Sequence, residues 1–226
     1  MNTEHTLPAT TSQSATESAL ASNRVLRNTY ALLSMTLFFS VVVAAISVAL
    51  KLPHPGIVIT LVGFFGLLYA TTKLQNSAWG LLAVFALTGF MGYTMGPIVS
   101  KYLALPNGHQ IVMMAMGGTA TIFVGLSAYA LTTRKDFSFM GGFLLAGIIV
   151  AFLAALGNLF FQVPALSLTV AAAFVLLMGG LILFETSRIV HGGETNYISA
   201  TVSLYVAIYN LFSSLLALLG FGSSSD

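Results

Sequence analysis

The chain has 226 residues, of which 57% are hydrophobic and only 6% are charged; its formal net charge is +2, and it has no cysteine. A soluble domain carries roughly a quarter charged residues, so this composition excludes a soluble globular protein. The absence of cysteine excludes disulfides, thiolate metal sites and cysteine nucleophiles. We therefore expect an integral membrane protein, because an apolar surface of this extent is stable in lipid.

Seven apolar runs follow one another along the chain, each close to the roughly 20 residues that a membrane-spanning helix requires. They cover residues 28–50, 56–73, 78–99, 109–132, 139–160, 165–187 and 198–220. Barrel strands are about half as long and alternate in polarity, so the runs predict helices. The predicted fold is an all-α integral membrane bundle of seven transmembrane helices. Pro97, near the end of the third run, is expected to kink or end that helix.

Little of the chain lies outside these runs, which leaves no room for a soluble domain. Residues 1–23 are rich in Ser, Thr and Ala and predict a disordered cytoplasmic tail. Residues 24–221 form the predicted seven-helix domain, and residues 222–226 form a short C-terminal tail. Since residues 1–23 lack the apolar core of a cleaved signal peptide, the first helix is expected to act as an uncleaved insertion signal.

The distribution of Lys and Arg predicts the orientation, because cytoplasmic loops collect these residues. Six basic residues flank the runs on the side of the N-terminus: Arg24, Arg27, Lys73, Arg134, Lys135 and Arg188. The opposite side has Lys51 and Lys101. The expected protein is a multi-pass protein of a bacterial inner (plasma) membrane, with a cytoplasmic N-terminus and a periplasmic C-terminus.

Small residues in the runs indicate where helices pack, since lipid does not drive helices together hydrophobically. Gly89, Gly92 and Gly96 occur in the third run and predict a close helix contact. The pair Gly179–Gly180, shortly before Glu185, leaves two interpretations open: close packing, or a hinge beside a transport path.

The seventh run carries a mildly polar face made of Tyr197, Thr201, Tyr205 and Tyr209 at intervals of four residues. We expect this face to contact other helices. Asn210 lies about half-way along the same run, where its amide needs a partner. It is interpreted either as a hydrogen bond to a neighbouring helix or as an ion ligand.

Glu185 is the one acidic residue within an apolar run, and Arg188 follows it at the i+3 position. One hypothesis is an interfacial ion pair that ends the sixth helix. The other is a buried carboxylate that gates or binds a cation, because charged groups kept within a membrane are usually functional. His191 follows in a polar connector and is interpreted as a loop residue or a pH sensor.

Motif searches favour no enzyme. The chain has no HExxH zinc motif, no GxSxG motif and no phosphate loop. It has no basic patch for nucleic acid, and no feature indicates a small-molecule substrate. Its evident partner is the lipid bilayer.

Two segments resemble a known family. Residues 183–189 (LFETSRI) and 200–212 (ATVSLYVAIYNLF) are similar to the Bax inhibitor family, or transmembrane BAX inhibitor motif proteins, and the resemblance extends over residues 24–221. Residues 191–197 (HGGETNY), with residues 27–30 and 131–136, resemble the proteobacterial YccA branch. The resemblance implies a central seventh helix surrounded by the other six. The motif positions are Glu194, Asn196, Leu204, Tyr205 and Ala207.

In the wider family, the resemblance implies a pair of carboxylates on the sixth and seventh helices that forms a pH-sensitive latch for calcium leak. The first carboxylate matches Glu185, with Arg188 and Asn210 as further polar candidates. The second falls at Ala207, so the pair is incomplete in this chain. No cofactor is expected, with calcium retained as the alternative ligand.

The YccA branch implies a different role, that of a substrate and modulator of the FtsH membrane protease complex. An exposed N-terminal tail agrees with this role, since an ATP-driven protease needs a free segment to grip. Our first hypothesis is therefore a regulator that binds FtsH. The alternative is a pH-sensitive calcium or proton leak channel with Glu185 as its titrating group.

Overall fold

The computed structural model describes the backbone of residues 10–222 and the side chains of residues 20–222. These residues form seven α-helices: α1 Thr10–Ala49, α2 Ile57–Leu74, α3 Trp79–Leu103, α4 Gly108–Thr133, α5 Gly141–Phe161, α6 Pro164–Val190 and α7 Tyr197–Gly222. A short 3-10 turn, Ser138–Met140, precedes α5. All seven helices are long and apolar enough to cross a membrane, α1 over Leu20–Ala49. The protein is an all-α, multi-pass membrane bundle, as predicted.

The largest departure from the predicted boundaries is the start of the first helix. Because α1 begins at Thr10, residues 10–23 of the predicted disordered tail are helical. This segment contains no Gly or Pro and several good helix formers, so a helix nucleated in the apolar run can propagate towards the N-terminus. Residues 1–9 of that tail, and residues 223–226 of the predicted C-terminal tail, lie outside the described residues.

Helix α7 is the central element of the bundle and packs against α1, α2, α3, α4 and α6. Leu204, Leu211 and Leu216 on this helix are completely buried. Helix α5 instead packs on α6, and within residues 10–222 its backbone makes no contact with that of α7. Only Leu144 and Ala151 of α5 are buried, and a uniformly apolar helix is as well solvated by lipid as by protein.

Gly89, Gly92 and Gly96 of α3 form the predicted close contact, and their partner is α1. A Cβ atom at Gly89 would meet the Phe39 ring, and one at Gly92 would meet the backbone carbonyl of Ser40. A Cβ atom at Gly96 would meet the side chain of Ser47. The backbones of α1 and α3 therefore approach to a distance that only glycine allows at these positions.

Helix α3 does not end at Pro97 but continues to Leu103. Proline has no backbone N–H, so the carbonyl of Tyr93, four residues earlier, loses its helical partner. That carbonyl accepts a hydrogen bond from Ser47 Oγ of α1 at 3.2 Å. A neighbouring helix thus supplies the donor that the bilayer cannot supply.

The tyrosine face of α7 contacts α1 and α3, which confirms the prediction that it faces protein. Tyr205, which is 1% exposed, donates to the carbonyl of Thr88 at 3.2 Å. Its oxygen lies 2.6 Å from Ser40 Oγ, which donates to it. The Tyr209 hydroxyl lies 3.1 Å from Thr94 Oγ1. These contacts hold α7 in register with its neighbours.

We predict that Gly92→Ala destabilises the bundle, because the new methyl group meets the rigid carbonyl of Ser40 and forces α1 and α3 apart. Overpacking of this kind costs roughly 1–3 kcal/mol, which lowers the thermal midpoint in detergent micelles. Gly117→Ala is the matched control, since its Cβ meets nothing within 4 Å. Equal midpoints for the two variants would contradict a tight α1–α3 contact.

Candidate functional site

The retained charges gather at one end of the bundle, which we call the basic end. It comprises residues 20–27 of α1, the last turns of α2 and α6, and the α2–α3, α4–α5 and α6–α7 loops. Its basic residues are Arg24, Arg27, Lys73, Arg134, Lys135 and Arg188. The predicted site residue Glu185 lies in the last two turns of α6 and therefore close to this end.

Glu185 is both buried and paired, so the structure contains the predicted ion pair in a buried position, whereas a role with a cation stays a prediction. The residue is 5% exposed. Its Oε1 and Oε2 atoms accept hydrogen bonds from Arg188 Nη1 at 3.4 and 3.3 Å. The carboxylate therefore has a cationic partner one turn away in the same helix.

Arg188 connects α6 to the α6–α7 loop. Its Nη2 atom donates to the carbonyl of Gly193 at 3.3 Å and lies 3.6 Å from Glu194 Oε2. Its guanidinium also lies 5.4 Å from the centre of the Phe184 ring. One guanidinium thus faces two carboxyl groups. The i+3 spacing predicts only the pairing of Arg188 with Glu185, and the second carboxyl group comes from the loop.

Glu194 and Asn196 organise the first turn of α7. Asn196 Oδ1 accepts hydrogen bonds from the backbone N–H groups of Ile198 at 2.9 Å and Ser199 at 3.2 Å. This is an N-cap arrangement, which satisfies donors that a helix start leaves unpaired. Glu194 adds contacts to the Asn196 N–H at 2.8 Å and to Ser199 Oγ at 3.1 Å. These two motif residues therefore fix where α7 begins.

The same asparagine ties α7 to the α2–α3 loop. Asn196 Nδ2 donates to the carbonyl of Gln75 at 3.2 Å and to Asn76 Oδ1 at 2.8 Å. No local sequence signal indicates this contact, because the partners are separated by about 120 residues. Only the packing of α2 and α3 beside α7 brings them together.

Three motif positions lie inside α7 and are buried: Leu204, Tyr205 and Ala207. Ala207 is completely buried in an apolar cluster that includes Ile182 and Leu211. The position that the resemblance pairs with Glu185 therefore carries no titratable group and has apolar surroundings. The carboxylate that does approach Arg188 beside Glu185 belongs to Glu194.

Among the described residues, Asn210 has no hydrogen-bond partner on a neighbouring helix, which was one of its two predicted interpretations. Its Nδ2 atom donates to the carbonyl of Val206 in its own helix at 2.8 Å. The residue lines a cleft of about 680 Å³ between α5, α6 and α7. The polar residues of this lining are Asn158, Gln162, Ser167, Asn210, Ser213 and Ser214. Asn210 is twelve residues from the end of α7, so the cleft reaches about 18 Å into the bundle from the end opposite the basic end.

The α4–α5 loop is held against the end of α6. Ser187 Oγ donates to the carbonyl of Lys135 at 3.1 Å and accepts the N–H of Phe137 at 3.0 Å. In the same loop, the Ser138 N–H donates to Asp136 Oδ1 at 2.8 Å and holds the pKa of that carboxyl below its usual range. Ser187 is thus a loop anchor beside Arg188, a role that the sequence did not indicate.

Comparisons with known proteins agree with these observations. The family model described as "Inhibitor of apoptosis-promoting Bax1" matches residues 22–224. The protein named "Modulator of FtsH protease YccA" from Escherichia coli strain K12 is 55% identical over 206 residues, which cover 91% of this chain and 94% of that protein. A protein of Pseudomonas aeruginosa is 55% identical and covers 92% of this chain and 96% of its own length. A membrane protein of Vibrio cholerae is 45% identical, and the match covers 97% of this chain and 99% of that protein.

We predict that Arg188→Leu destabilises the basic end, because Glu185 and Glu194 lose their shared cation. Leaving a buried carboxylate without its cationic partner costs roughly 3–5 kcal/mol in the free energy of unfolding, which is measured in detergent micelles. The double variant Glu185→Gln with Arg188→Leu should recover part of this loss, since the buried charge is then gone as well. If Arg188→Leu unfolds like the wild type, the ion pair does not stabilise the fold.

We also predict that the cleft holds water, since polar groups at membrane depth are tolerated where they line a hydrated cavity. The chain has no cysteine, so single cysteines can be introduced without background. A cysteine at Ser213 should react with a charged thiol reagent about tenfold faster than one at Leu176, because only a hydrated thiol ionises. Leu176 is 78% exposed and lies at similar depth on α6. Equal rates would contradict a hydrated cleft.

Proposed function

The chain belongs to the Bax inhibitor family, and from this premise we propose that it is an inner-membrane regulator that binds the FtsH protease complex, modulates its activity and is itself a substrate. The observation that carries this proposal is the 55% identity, over 91% of the chain, to a protein named as a modulator of FtsH. A relative of the same length and identity is named an inner membrane protein, which supports the location. A regulator needs no set of catalytic residues, and the motif searches of the sequence favour no enzyme.

The proposed orientation places the basic end in the cytoplasm. Loops rich in Lys and Arg are retained on that side of a bacterial inner membrane. Seven crossings then put the C-terminus in the periplasm. In this orientation, the N-terminal part of α1 extends into the cytoplasm beside the α6–α7 loop.

The N-terminal part of α1 is the proposed handle for the protease. Helix α1 begins at Thr10, whereas the apolar run within it begins at residue 28, so about 27 Å of helix precedes that run. Most helical stability comes from packing of an apolar face, and residues 10–19 contain only two alanines as apolar residues. Unwinding one turn of such a helix therefore costs little free energy. This segment therefore suits an ATP-driven protease that pulls its substrate from one end.

An ion leak through Glu185 has less support. Arg188 neutralises the carboxylate within α6, at 3.3 Å. Ala207 occupies the position of the second acid that the family resemblance requires. Without a second carboxylate on α7, the like-charge pair that the family resemblance implies between the two helices is missing. The other nearby carboxylate, Glu194, lies in the α6–α7 loop and shares Arg188 with Glu185. The regulator is therefore the preferred function.

To test the proposal, the full chain is expressed in cells that lack their own relative, and its copurification with FtsH is measured in detergent. The wild type should copurify with FtsH, be degraded by it, and slow the degradation of a second membrane substrate. Removing residues 1–19 should lengthen the half-life of the chain several-fold, because the handle is lost, while binding through the membrane helices persists.

The matched control is a chain whose residues 1–19 are scrambled, which keeps the length and composition of the handle. This variant should be degraded like the wild type, since the protease grips an exposed end and not a packed motif. The proposal fails if the wild type neither copurifies with FtsH nor changes the turnover of the second substrate. If truncation left the half-life unchanged, residues 1–19 would not be the handle, but the proposed regulation of FtsH would still stand.

A further inference from the structure

His191 directly follows α6, and both nitrogens of its ring face backbone carbonyl oxygens. Nδ1 lies 2.9 Å from the carbonyl oxygen of Ser187, one turn earlier in α6. Nε2 lies 3.0 Å from the carbonyl oxygen of Arg134, in the α4–α5 loop. A carbonyl oxygen only accepts hydrogen bonds, so each contact requires an N–H group on the ring. A neutral imidazole has one N–H group and the imidazolium has two.

Among the described residues, no neighbouring group supplies a hydrogen bond in place of the ring proton that a neutral His191 lacks. The closest candidate is Ser187 Oγ, which lies 3.3 Å from His191 Nδ1. A serine hydroxyl has a single proton, and this one is donated to the carbonyl of Lys135 at 3.1 Å. The same oxygen accepts the N–H of Phe137 at 3.0 Å. The local hydrogen-bond network is therefore complete only when His191 carries both ring protons.

The charges around the ring are compatible with a cation at this place. Asp136, in the same loop, interacts electrostatically with His191 and remains a carboxylate, since the Ser138 N–H lowers its pKa. Arg134 and Lys135 have exposed side chains and contribute to this contact through their backbone carbonyls. On α6 and the α6–α7 loop, Arg188 is paired with both Glu185 and Glu194.

We propose that His191 is a proton-binding site that docks the α4–α5 loop onto the end of α6. With two ring protons, it bridges the carbonyls of Arg134 and Ser187. With one, it gives up one of these bonds, and two acceptors then face each other. Each of the two bonds needs its own ring proton, so the doubly protonated ring favours docking and removal of one ring proton weakens it. This inference requires neither FtsH binding nor an ion path.

The chain contains an internal control, a histidine contact that ring protonation should break and not strengthen. His54, in the α1–α2 loop, uses Nδ1 to accept the N–H of Gly56 at 3.0 Å. That contact requires an unprotonated Nδ1 and is lost, not gained, when the ring becomes a cation. A general effect of pH on loops would change both contacts in the same direction, whereas the proposed site changes them in opposite directions.

The test is amide hydrogen exchange of the purified full chain in nanodiscs at pH 5.5 and 8.5, corrected for the intrinsic exchange rate. In the wild type, the protection of the Phe137 amide should fall about tenfold on going to the higher pH, the size expected for one lost hydrogen bond. In His191→Gln, the protection should not depend on pH. His54→Gln is the matched control and should keep the pH dependence of the wild type.

Two outcomes would overturn the inference. One is protection at Phe137 that does not depend on pH in the wild type, a result that needs no variant. The other is the same pH dependence in His191→Gln as in the wild type, which would assign the effect to another group such as Asp136. Nitrogen-15 spectra of the histidine rings give a second readout: both ring nitrogens of His191 should be protonated whenever the Phe137 amide is protected.

Discussion

In a bilayer no water reaches an unpaired polar group, and this constraint explains most of the polar side chains that the bundle retains. Ser47 pairs the carbonyl that Pro97 leaves free, and Ser40 and Thr88 pair the hydroxyl of Tyr205. Each of these bonds crosses between two helices. A polar group within a membrane thus serves as a specific link between helices.

Close approach of helices makes these links short enough to form. The glycines of α3 bring its backbone against α1, where Ser40 and Ser47 are located. Gly92 meets the carbonyl of Ser40, whose hydroxyl in turn reaches Tyr205 on α7. Three helices are therefore fixed by one small residue and one hydroxyl pair. Packing and polar pairing are two parts of the same interface.

The basic end follows a different rule, because its loops reach water and can carry charge. Three loops meet there at the end of α6 and the start of α7. Asn196 holds the α2–α3 loop, Ser187 and His191 hold the α4–α5 loop, and Arg188 joins Glu185 to Glu194. Any partner that engages this end meets a connected surface and not three separate loops. For a regulator this arrangement matters, since binding at one loop bears on the others.

Much of this architecture was predictable from the sequence, because a bilayer imposes a minimum apolar length and selects helices. The seven helices, the glycine contact of α3 and the Glu185–Arg188 pair depend on residues that are neighbours along one helix. Three features were not predictable: the position of α5 outside α6, the cleft at Asn210, and the contacts of Asn196 and His191. His191 and Arg134 are 57 residues apart, and Asn196 and Gln75 are 121 residues apart. Such contacts exist only once the helices have packed, since no periodicity within one helix encodes which loops will meet.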